Sequence, residues 1–114
     1  MRLSCEMHKT TEMATGGTWL DGSPIYKITL TGRTGTQLSH NNNLQQIQGF
    51  KDFVDLKGHI ENAVGSHLPN NYRNETNDNF ISFCVNNVGM LQENHLAAGY
   101  SDKPYVVTVW YTKQ

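Results

Sequence analysis

Residues 105–112, YVVTVWYT, form the segment near the end of the chain that decides the fold. Nearly every residue in it is β-branched or aromatic, which is the composition that favours a β-strand. Apolar side chains occupy both odd and even positions, so both faces of this strand need cover. We therefore expect a central strand covered on each side, or a strand with one face packed against a neighbouring subunit.

Three earlier segments, residues 25–31, 54–62 and 80–86, alternate apolar and polar residues at period two, the pattern of half-buried strands. The second segment predicts a long strand or bent hairpin. The third ends at an Asn86-Asn87 turn, from which a hairpin returns through residues 88–92. The predicted inward side chains are Tyr26, Ile28, Leu30, Val54, Leu56, Ile60, Ile81, Phe83 and Val85.

Helical spacing is weak, and only residues 44–53 carry it, so we predict at most one short helix. The polar stretches at residues 39–43 and 69–79 predict exposed loops, and residues 32–36 (GRTGT) predict a hairpin turn. Strands separated by turns indicate an all-β domain. We therefore predict an antiparallel β-sandwich or jelly-roll-like domain with long polar loops.

Size and charge limit the possible functions. A chain of 114 residues suits one domain spanning 1–114, in which residues 1–14 are a candidate flexible N-terminal arm. A net charge of -1 provides no basic face for a phosphate backbone, so nucleic acid is not an expected partner. No apolar run is long enough for a spanning helix or a secretion signal, so we expect cytoplasmic synthesis without membrane insertion. In that compartment Cys5 and Cys84 are expected to be free thiols.

One short motif raises the question of a metal site. Cys5 and His8 have a Cys-x-x-His spacing that suits two zinc ligands, but the sequence has no second close pair to complete a tetrahedral site. The remaining candidate ligands are Cys84, His40, His59, His67 and His95. We predict no metal and no cofactor, although one histidine per chain around a three-fold axis would build a site that a single sequence does not reveal.

The sequence contains one candidate group of catalytic residues. Asp55, His59 and Glu61 share the outward face of a predicted strand, where carboxylates and an imidazole are the groups used for acid and base chemistry. A solvated strand face offers no desolvation that would separate their pKa values. We predict that the protein is not an enzyme, and a small glycan hydrolase using this row is the alternative.

Binding has candidates in the polar loops. Amide side chains offer neutral donors and acceptors to sugar hydroxyls, and an exposed aromatic ring gives such a site an amphipathic surface. Trp19, Tyr26 and Trp110 fall within strand patterns and are assigned to packing. The candidate binding residues are Asn41, Asn42, Asn70, Asn71, Tyr72 and Arg73.

A longer motif lies near the start of the chain. Residues 11–27 read TEMATGGTWLDGSPIYK, in which Asp21-Gly22 predicts a tight turn, Pro24 stiffens its exit, and Trp19 and Tyr26 are expected to pair across the strands. The chain closes with Tyr111-Thr112-Lys113 after an alternating strand.

Together these two motifs resemble a module of bacteriophage and prophage virion proteins, in which a Glu and a Gly precede Trp-Ile/Leu-Asp-Gly-Lys-Pro-Ile/Leu-Tyr and the chain ends in Tyr-Thr-Lys. Ser23 stands where that family usually has Lys, at a turn position. The family motif residues matched here are Trp19, Asp21, Gly22, Pro24, Tyr26 and Tyr111, with Trp110 in the closing strand. The resemblance supplies no catalytic residue.

The resemblance implies a terminal domain of a tail-tip, baseplate or fibre protein that is β-rich and forms a homotrimer. Its expected partners are other virion proteins and a host-surface glycan or receptor, and its expected location is the virion after synthesis in the host cytoplasm. The expected function is attachment to the host or anchoring of the receptor-binding part. A stand-alone lectin-like domain is the alternative.

Overall fold

A computed structural model describes residues 11–61, 67–69, 71–73 and 80–114. The described strands form two antiparallel sheets that pack together, so the prediction of an all-β sandwich is confirmed. A short 3-10 helix at Ala98–Tyr100 is the only helix in these ranges. The strands are β1 (Met13–Thr18), β2 (Pro24–Arg33), β3 (Asn42–Gln46), β4 (Phe50–Glu61), β5 (His67–Pro69), β6 (Asn71–Arg73), β7 (Phe80–Val85), β8 (Met90–His95) and β9 (Pro104–Lys113).

The larger sheet has the order β1-β2-β9-β4-β5, which places β9 at its centre as predicted. β9 pairs with β2 from Ile25 opposite Thr112 to Arg33 opposite Pro104, and on its other edge it pairs with β4. Alternate residues of β9 enter the core because successive side chains of a strand point to opposite faces. The inward set is Tyr105, Val107, Val109 and Tyr111, and the outward set is Val106, Thr108 and Trp110, which are half-buried.

The smaller sheet has the order β3-β8-β7-β6. Its β7–β8 hairpin turns at the predicted site, where the Asn86 side-chain oxygen accepts the backbone N–H groups of Val88 at 3.1 Å and Met90 at 2.9 Å. The ring of Phe83 lies 5.5 Å from the ring of Tyr105, which joins the two sheets through the core. The buried apolar residues are Leu30, Ile47, Phe50, Ile60, Ile81, Phe83, Leu91, Tyr100, Tyr105, Val107, Val109 and Tyr111.

The predicted short helix at residues 44–53 is wrong. This segment contains the end of β3, a turn and the start of β4, and Gly49 in the turn has a φ of +72°, which ends any helical run. The apolar residues Ile47 and Phe50 are buried as the helical spacing suggested, but they reach the core through a turn between two strands in different sheets. Spacing over ten residues does not distinguish these two solutions.

Two predicted loop assignments also need correction. The segment GRTGT does not form a hairpin turn, because β2 continues through Arg33 and the chain then crosses to β3 in the other sheet. Asn42 and Asn43, which were expected in a loop, belong to β3, and Asn42 is buried. Within residues 69–79, Pro69 ends β5 and Asn71–Arg73 form β6, while residues 70 and 74–79 lie outside the described ranges.

The last residues of the predicted N-terminal arm at 1–14 belong to the folded domain. Met13 begins β1 and pairs with Lys27, and the Glu12 side chain bonds to the last strand, so these residues are part of the sandwich. Residues 1–10 of the predicted arm lie outside the described ranges.

Candidate functional site

The Trp-Leu-Asp-Gly part of the motif forms the turn of the β1–β2 hairpin. The Trp19 N–H donates to the Ser23 carbonyl at 2.8 Å, and the Gly22 N–H donates to the Trp19 carbonyl at 2.9 Å. Gly22 has a φ of +85°, a conformation that a residue with a side chain adopts only with strain. Leu20, at the tip of the hairpin, has 91% of its surface exposed. The tight turn is therefore confirmed, and it projects an apolar side chain into solvent.

The predicted cross-strand pairing of Trp19 with Tyr26 is wrong. Tyr26 pairs with Ala14, and Trp19 lies beyond the end of β1, where it opens the turn. In the observed register Thr18 lies opposite Pro24, so Trp19 lies too close to the turn to oppose Tyr26.

The Asp21 carboxylate stabilises this turn by accepting the Ser23 N–H and by pairing with Lys51. Its pKa is lowered from 3.8 to about 2, first by the backbone N–H of Ser23 at 2.9 Å, then by the Ser23 side chain and by Lys51, whose Nζ lies 3.2 Å from Oδ2. Because the folded-state pKa is below the unfolded value, the carboxylate stabilises the fold above pH 3.8, and this contribution disappears as the pH falls through 2.

We expect the side-chain carboxyl carbon of Asp21 to titrate in an NMR experiment with a midpoint near 2. In a Lys51→Met variant the midpoint should move upwards, but only part of the way to 3.8, because the Ser23 N–H remains. A midpoint of 3.8 in the unmodified protein would contradict the turn geometry.

The residue before β1 and the end of β9 meet in one corner of the larger sheet, here called the Glu12 corner and made of Glu12, Tyr26, Tyr111 and Lys113. Glu12 Oε1 accepts the Tyr111 hydroxyl, and its Oε2 accepts Lys113 Nζ at 2.8 Å. The Lys113 ammonium lies 5.1 Å from the Tyr26 ring centre, and the rings of Tyr26 and Tyr111 are 6.4 Å apart. The residue before β1 is thereby joined to the end of β9.

The surroundings in the Glu12 corner lower the pKa of Glu12 and raise the pKa of Tyr111. Burial opposes ionisation of Glu12, but hydrogen bonds from Lys113 and Tyr111 prevail and hold the pKa of Glu12 below 4.5. Burial, followed by the hydrogen bond to Glu12, raises the pKa of Tyr111 well above 10. Tyr111 therefore stays a neutral donor and Glu12 an ionised acceptor at neutral pH.

Replacing Glu12 by alanine should lower the free energy of unfolding by about 1–2 kcal/mol, because it leaves the hydroxyl of the buried Tyr111 unpaired. The same change in a Tyr111→Phe background should cost less, since no hydroxyl is then left without a partner. Urea denaturation of the four proteins of this double-mutant cycle measures the difference. Strict additivity would contradict a direct Glu12–Tyr111 bond.

A buried polar network that the sequence analysis missed lies at the other end of the sandwich. Glu93 and His95 are almost fully buried on the inward face of β8, and the His95 Nδ1 contacts Glu93 Oε2. His95 Nε2 lies 2.8 Å from the hydroxyl of Ser101. The alternation of β8 predicts that residues 93 and 95 share a face, but nothing in the sequence places Ser101 beside them.

This network has the connectivity of a Ser-His-acid triad but lacks the donors that acyl transfer needs. An oxyanion hole requires N–H groups aimed at the developing charge. The Ser101 N–H donates to Ala98 O at 3.0 Å, and the Asp102 N–H donates to Gly35 O at 3.2 Å. The Gly35 N–H is bonded to Glu93 Oε1 at 3.0 Å. These three N–H groups already have acceptors, and the described arrangement connects two loops to β8.

Three of the predicted binding residues come together on β6. Asn71, Tyr72 and Arg73 border an open depression of about 360 Å³, which Phe80, Ile81 and Ser82 complete. The Arg73 guanidinium lies 4.8 Å from the ring centre of Phe80. Burial raises the pKa of Tyr100, and Tyr72 adds to that effect. Asn70 lies outside the described residues.

The other two predicted binding residues lie elsewhere. Asn42 is buried and donates to Gln37 O at 3.0 Å and to Glu93 Oε1 at 3.3 Å, so it belongs to the buried network. Asn41 is exposed, and its side-chain oxygen accepts Asn94 Nδ2 at 3.0 Å. β3 and β6 are the opposite edges of the four-stranded sheet, about 14 Å apart at ordinary strand spacing. The predicted residues therefore do not form one compact site.

The candidate acid–base row is extended along β4. Asp55 and His59 lie opposite Trp110 and Val106 on the outward face, as predicted. Six residues of strand separate Asp55 from Glu61 by about 20 Å, whereas the two carboxyls of a glycosidase lie about 5–9.5 Å apart. Asp55 and Glu61 are therefore too far apart to act on one bond. His59 and Glu61 border a small depression of about 110 Å³ with Pro104 and Val106.

The predicted zinc motif, Cys5 and His8, lies outside the described residues, and so does the side chain of His67. Within the described ranges, no three His, Cys, Asp or Glu side chains are grouped closely enough to hold a metal ion. Cys84 is an exposed free thiol, and partial burial raises its pKa.

The part of the chain that the structure covers contains no helix long and apolar enough to cross a bilayer.

No protein-family model, curated protein or solved structure matches this chain. The class of protein is therefore defined by the fold alone, as an all-β sandwich of two antiparallel sheets.

Proposed function

We propose that this chain is a structural module of a bacteriophage virion, positioned in the tail, fibre or baseplate, where it contacts the host surface or anchors the receptor-binding part. The observation that supports the proposal most is the Glu12 corner. The residues that carry the resemblance lie at the two ends of the chain, and Glu12, Tyr111 and Lys113 bond to each other there. The fold therefore brings into contact the residues on which the resemblance rests.

Mass spectrometry of purified particles tests this proposal. The gene is expressed in its phage or prophage, and particles are banded in a density gradient. The protein should be present at a constant ratio to the major capsid protein in every fraction that contains particles. A host cytoplasmic enzyme followed in the same fractions is the control for contamination. Absence of the protein from banded particles would reject a virion role.

The proposal includes a homotrimer assembled through the outward face of the larger sheet. The centre of that face is the half-buried row of Val106, Thr108 and Trp110, and the described strand β9 carries these apolar groups away from the core. The Lys57 ammonium lies 5.9 Å from the Trp110 ring centre, and Asp55 lies opposite Trp110 on the neighbouring strand. Tryptophan is enriched in the central residues of protein interfaces.

Light scattering on a sizing column should give roughly three times the chain mass of 12.9 kDa for the unmodified protein. Trp110→Glu should convert it to a folded monomer, because the new carboxylates would be buried against each other at the interface. Asn43→Glu, on the outward face of the other sheet, is the matched control and should leave the trimer intact. Circular dichroism confirms that each variant is folded.

A second variant, Val106→Lys, keeps the test valid if Trp110→Glu does not fold. An unmodified protein that stays monomeric at every concentration would reject the trimer. Particle association is measured separately, so that result would leave the virion role standing.

A stand-alone carbohydrate-binding domain is the second candidate function. The depression bordered by Tyr72, Arg73 and Phe80 favours it, because an aromatic rim with a few polar groups is the usual composition of a small-molecule site. Glycan binding by a protein that is absent from particles would select this candidate.

A further inference from the structure

We propose that the outward face of the four-stranded sheet binds a neutral, hydroxyl-rich glycan. This inference rests on the proposed role in host attachment and names the chemistry of the ligand. The face is called the amide face here, and its residues are Asn41, Asn43, Asn71, Ser82, Gln92 and Asn94.

The register of the strands aligns these side chains in rows. Ser82 lies opposite Asn71 on one side and Asn94 on the other, and Asn94 bonds to Asn41, so this row runs from β6 across β7 and β8 to the residue before β3. The row is about 14 Å long at ordinary strand spacing. Asn43 and Gln92 form a second row beside it.

Hydrogen bonds within the rows hold the amides in position and leave part of their capacity for a ligand. Gln92 Nε2 donates to Asn43 Oδ1 at 2.7 Å, which leaves the Gln92 carbonyl as an acceptor and the Asn43 amino group as a donor. Side chains that are already ordered lose less conformational entropy when a ligand binds. Sugar hydroxyls both donate and accept, which is the combination that amides complement.

The scarcity of charged side chains on the amide face favours a neutral ligand. Of the charged residues in the described strands of this sheet, Glu93 and His95 face the core, and only Arg73 belongs to the outward side. The Arg73 guanidinium is placed over the Phe80 ring, at the edge of the amide face. The outward face of the other sheet carries charges of both signs, including Lys57 and Asp55. The amide face therefore offers hydrogen bonds with little long-range attraction for an ion.

The depression at the β6–β7 edge provides a place for one sugar ring. Its volume of about 360 Å³ lies within the range of small-molecule sites, and it opens beside Asn71 and Ser82 at one end of the longer row. Phe80, which shares the outward face with Ser82, supplies aromatic surface there. A glycan with one sugar ring in the depression and its next rings along the longer amide row would contact both the depression and the amides.

The test uses the full chain, biotinylated and displayed on streptavidin so that weak contacts add. It is applied to an array of neutral hexose and N-acetylhexosamine oligosaccharides, with sialylated and sulfated oligosaccharides on the same array. We expect binding to at least one neutral oligosaccharide, with little change in affinity between low and high salt. NMR spectra with that oligosaccharide should show shifts of the side-chain amide signals of Asn43, Gln92 and Asn94.

Gln92→Ala and Asn43→Ala should each weaken binding about tenfold, which corresponds to about 1.4 kcal/mol. Gln48→Ala is the control, because Gln48 is an exposed amide in the turn between β3 and β4. Equal binding by all three variants would reject the amide face as the site. Failure to bind any neutral oligosaccharide, or salt-sensitive binding to anionic ones alone, would reject the neutral glycan. Particle association without glycan binding would overturn this inference and leave the proposed virion role intact.

Discussion

Replacing Val109 by aspartate should unfold the domain. Val109 is fully buried at the centre of β9, between Ile28 on one neighbouring strand and Leu56 on the other. An unpaired carboxylate at that position must either stay ionised in an apolar environment or take up a proton, and each choice costs several kcal/mol. Domains of this size have a total stability of about 5–15 kcal/mol. Most of that stability would be lost.

Circular dichroism and urea denaturation measure the effect of Val109→Asp. Val88→Asp is the matched control, because it makes the same substitution at a valine that is 63% exposed and lies in the turn between β7 and β8. The control should change the free energy of unfolding by about 0.5 kcal/mol or less. A Val109→Asp protein with an unchanged unfolding midpoint would contradict the packing of the two sheets over β9.

Removing the Glu93 side chain should have the second largest effect. Glu93→Ala leaves His95, the Asn42 amide and the Gly35 N–H without their shared acceptor in a region where Glu93 is 1% exposed and His95 is 0% exposed. Breaking a buried pair in this way costs about 3–5 kcal/mol. Urea denaturation should therefore give a much lower midpoint. Hydrogen exchange should also show faster exchange of the Gly35 N–H, whose bond is lost directly.

Glu93→Gln distinguishes loss of hydrogen bonds from loss of packing. The glutamine Oε1 can still accept from Gly35 and Asn42, and its Nε2 can donate to His95 Nδ1 if the imidazole takes its other tautomer. That tautomer donates from Nε2 to the Ser101 hydroxyl, 2.8 Å away. We expect a loss of about 1–2 kcal/mol for Glu93→Gln. Equal losses for the alanine and glutamine variants would contradict this account of the network.

Strand periodicity predicted most of the fold because its evidence is local. In β2 and β7, the inward residues follow from alternation alone, and the Asn86-Asn87 turn has its own side-chain hydrogen bonds. The helix prediction failed at Gly49 because a short apolar spacing fits both a helical turn and a turn between strands. The GRTGT prediction failed because the choice between a hairpin and a crossover depends on which sheet receives the next strand.

The candidate sites were harder to predict because they combine distant parts of the chain. Asn71, Tyr72 and Arg73 are consecutive, and their association with one depression follows from their position on one strand. Asn42 was expected to be an exposed ligand-binding residue, but the fold places it against Glu93, 51 residues away. Ser101 reaches His95 only because the chain reverses after the 3-10 helix.

The sequence by itself determined the all-β class, the central position of β9 and the inward faces of the main strands. These properties depend on β-propensity and on the two-residue period of a strand, which neighbouring residues specify. The tertiary structure alone decided which strands became partners, so it produced the Glu12 corner, the buried Glu93 network and the amide face. Each of these depends on which strands pair and where the loops cross, and this arrangement brings together side chains as far apart in sequence as Glu12 and Lys113.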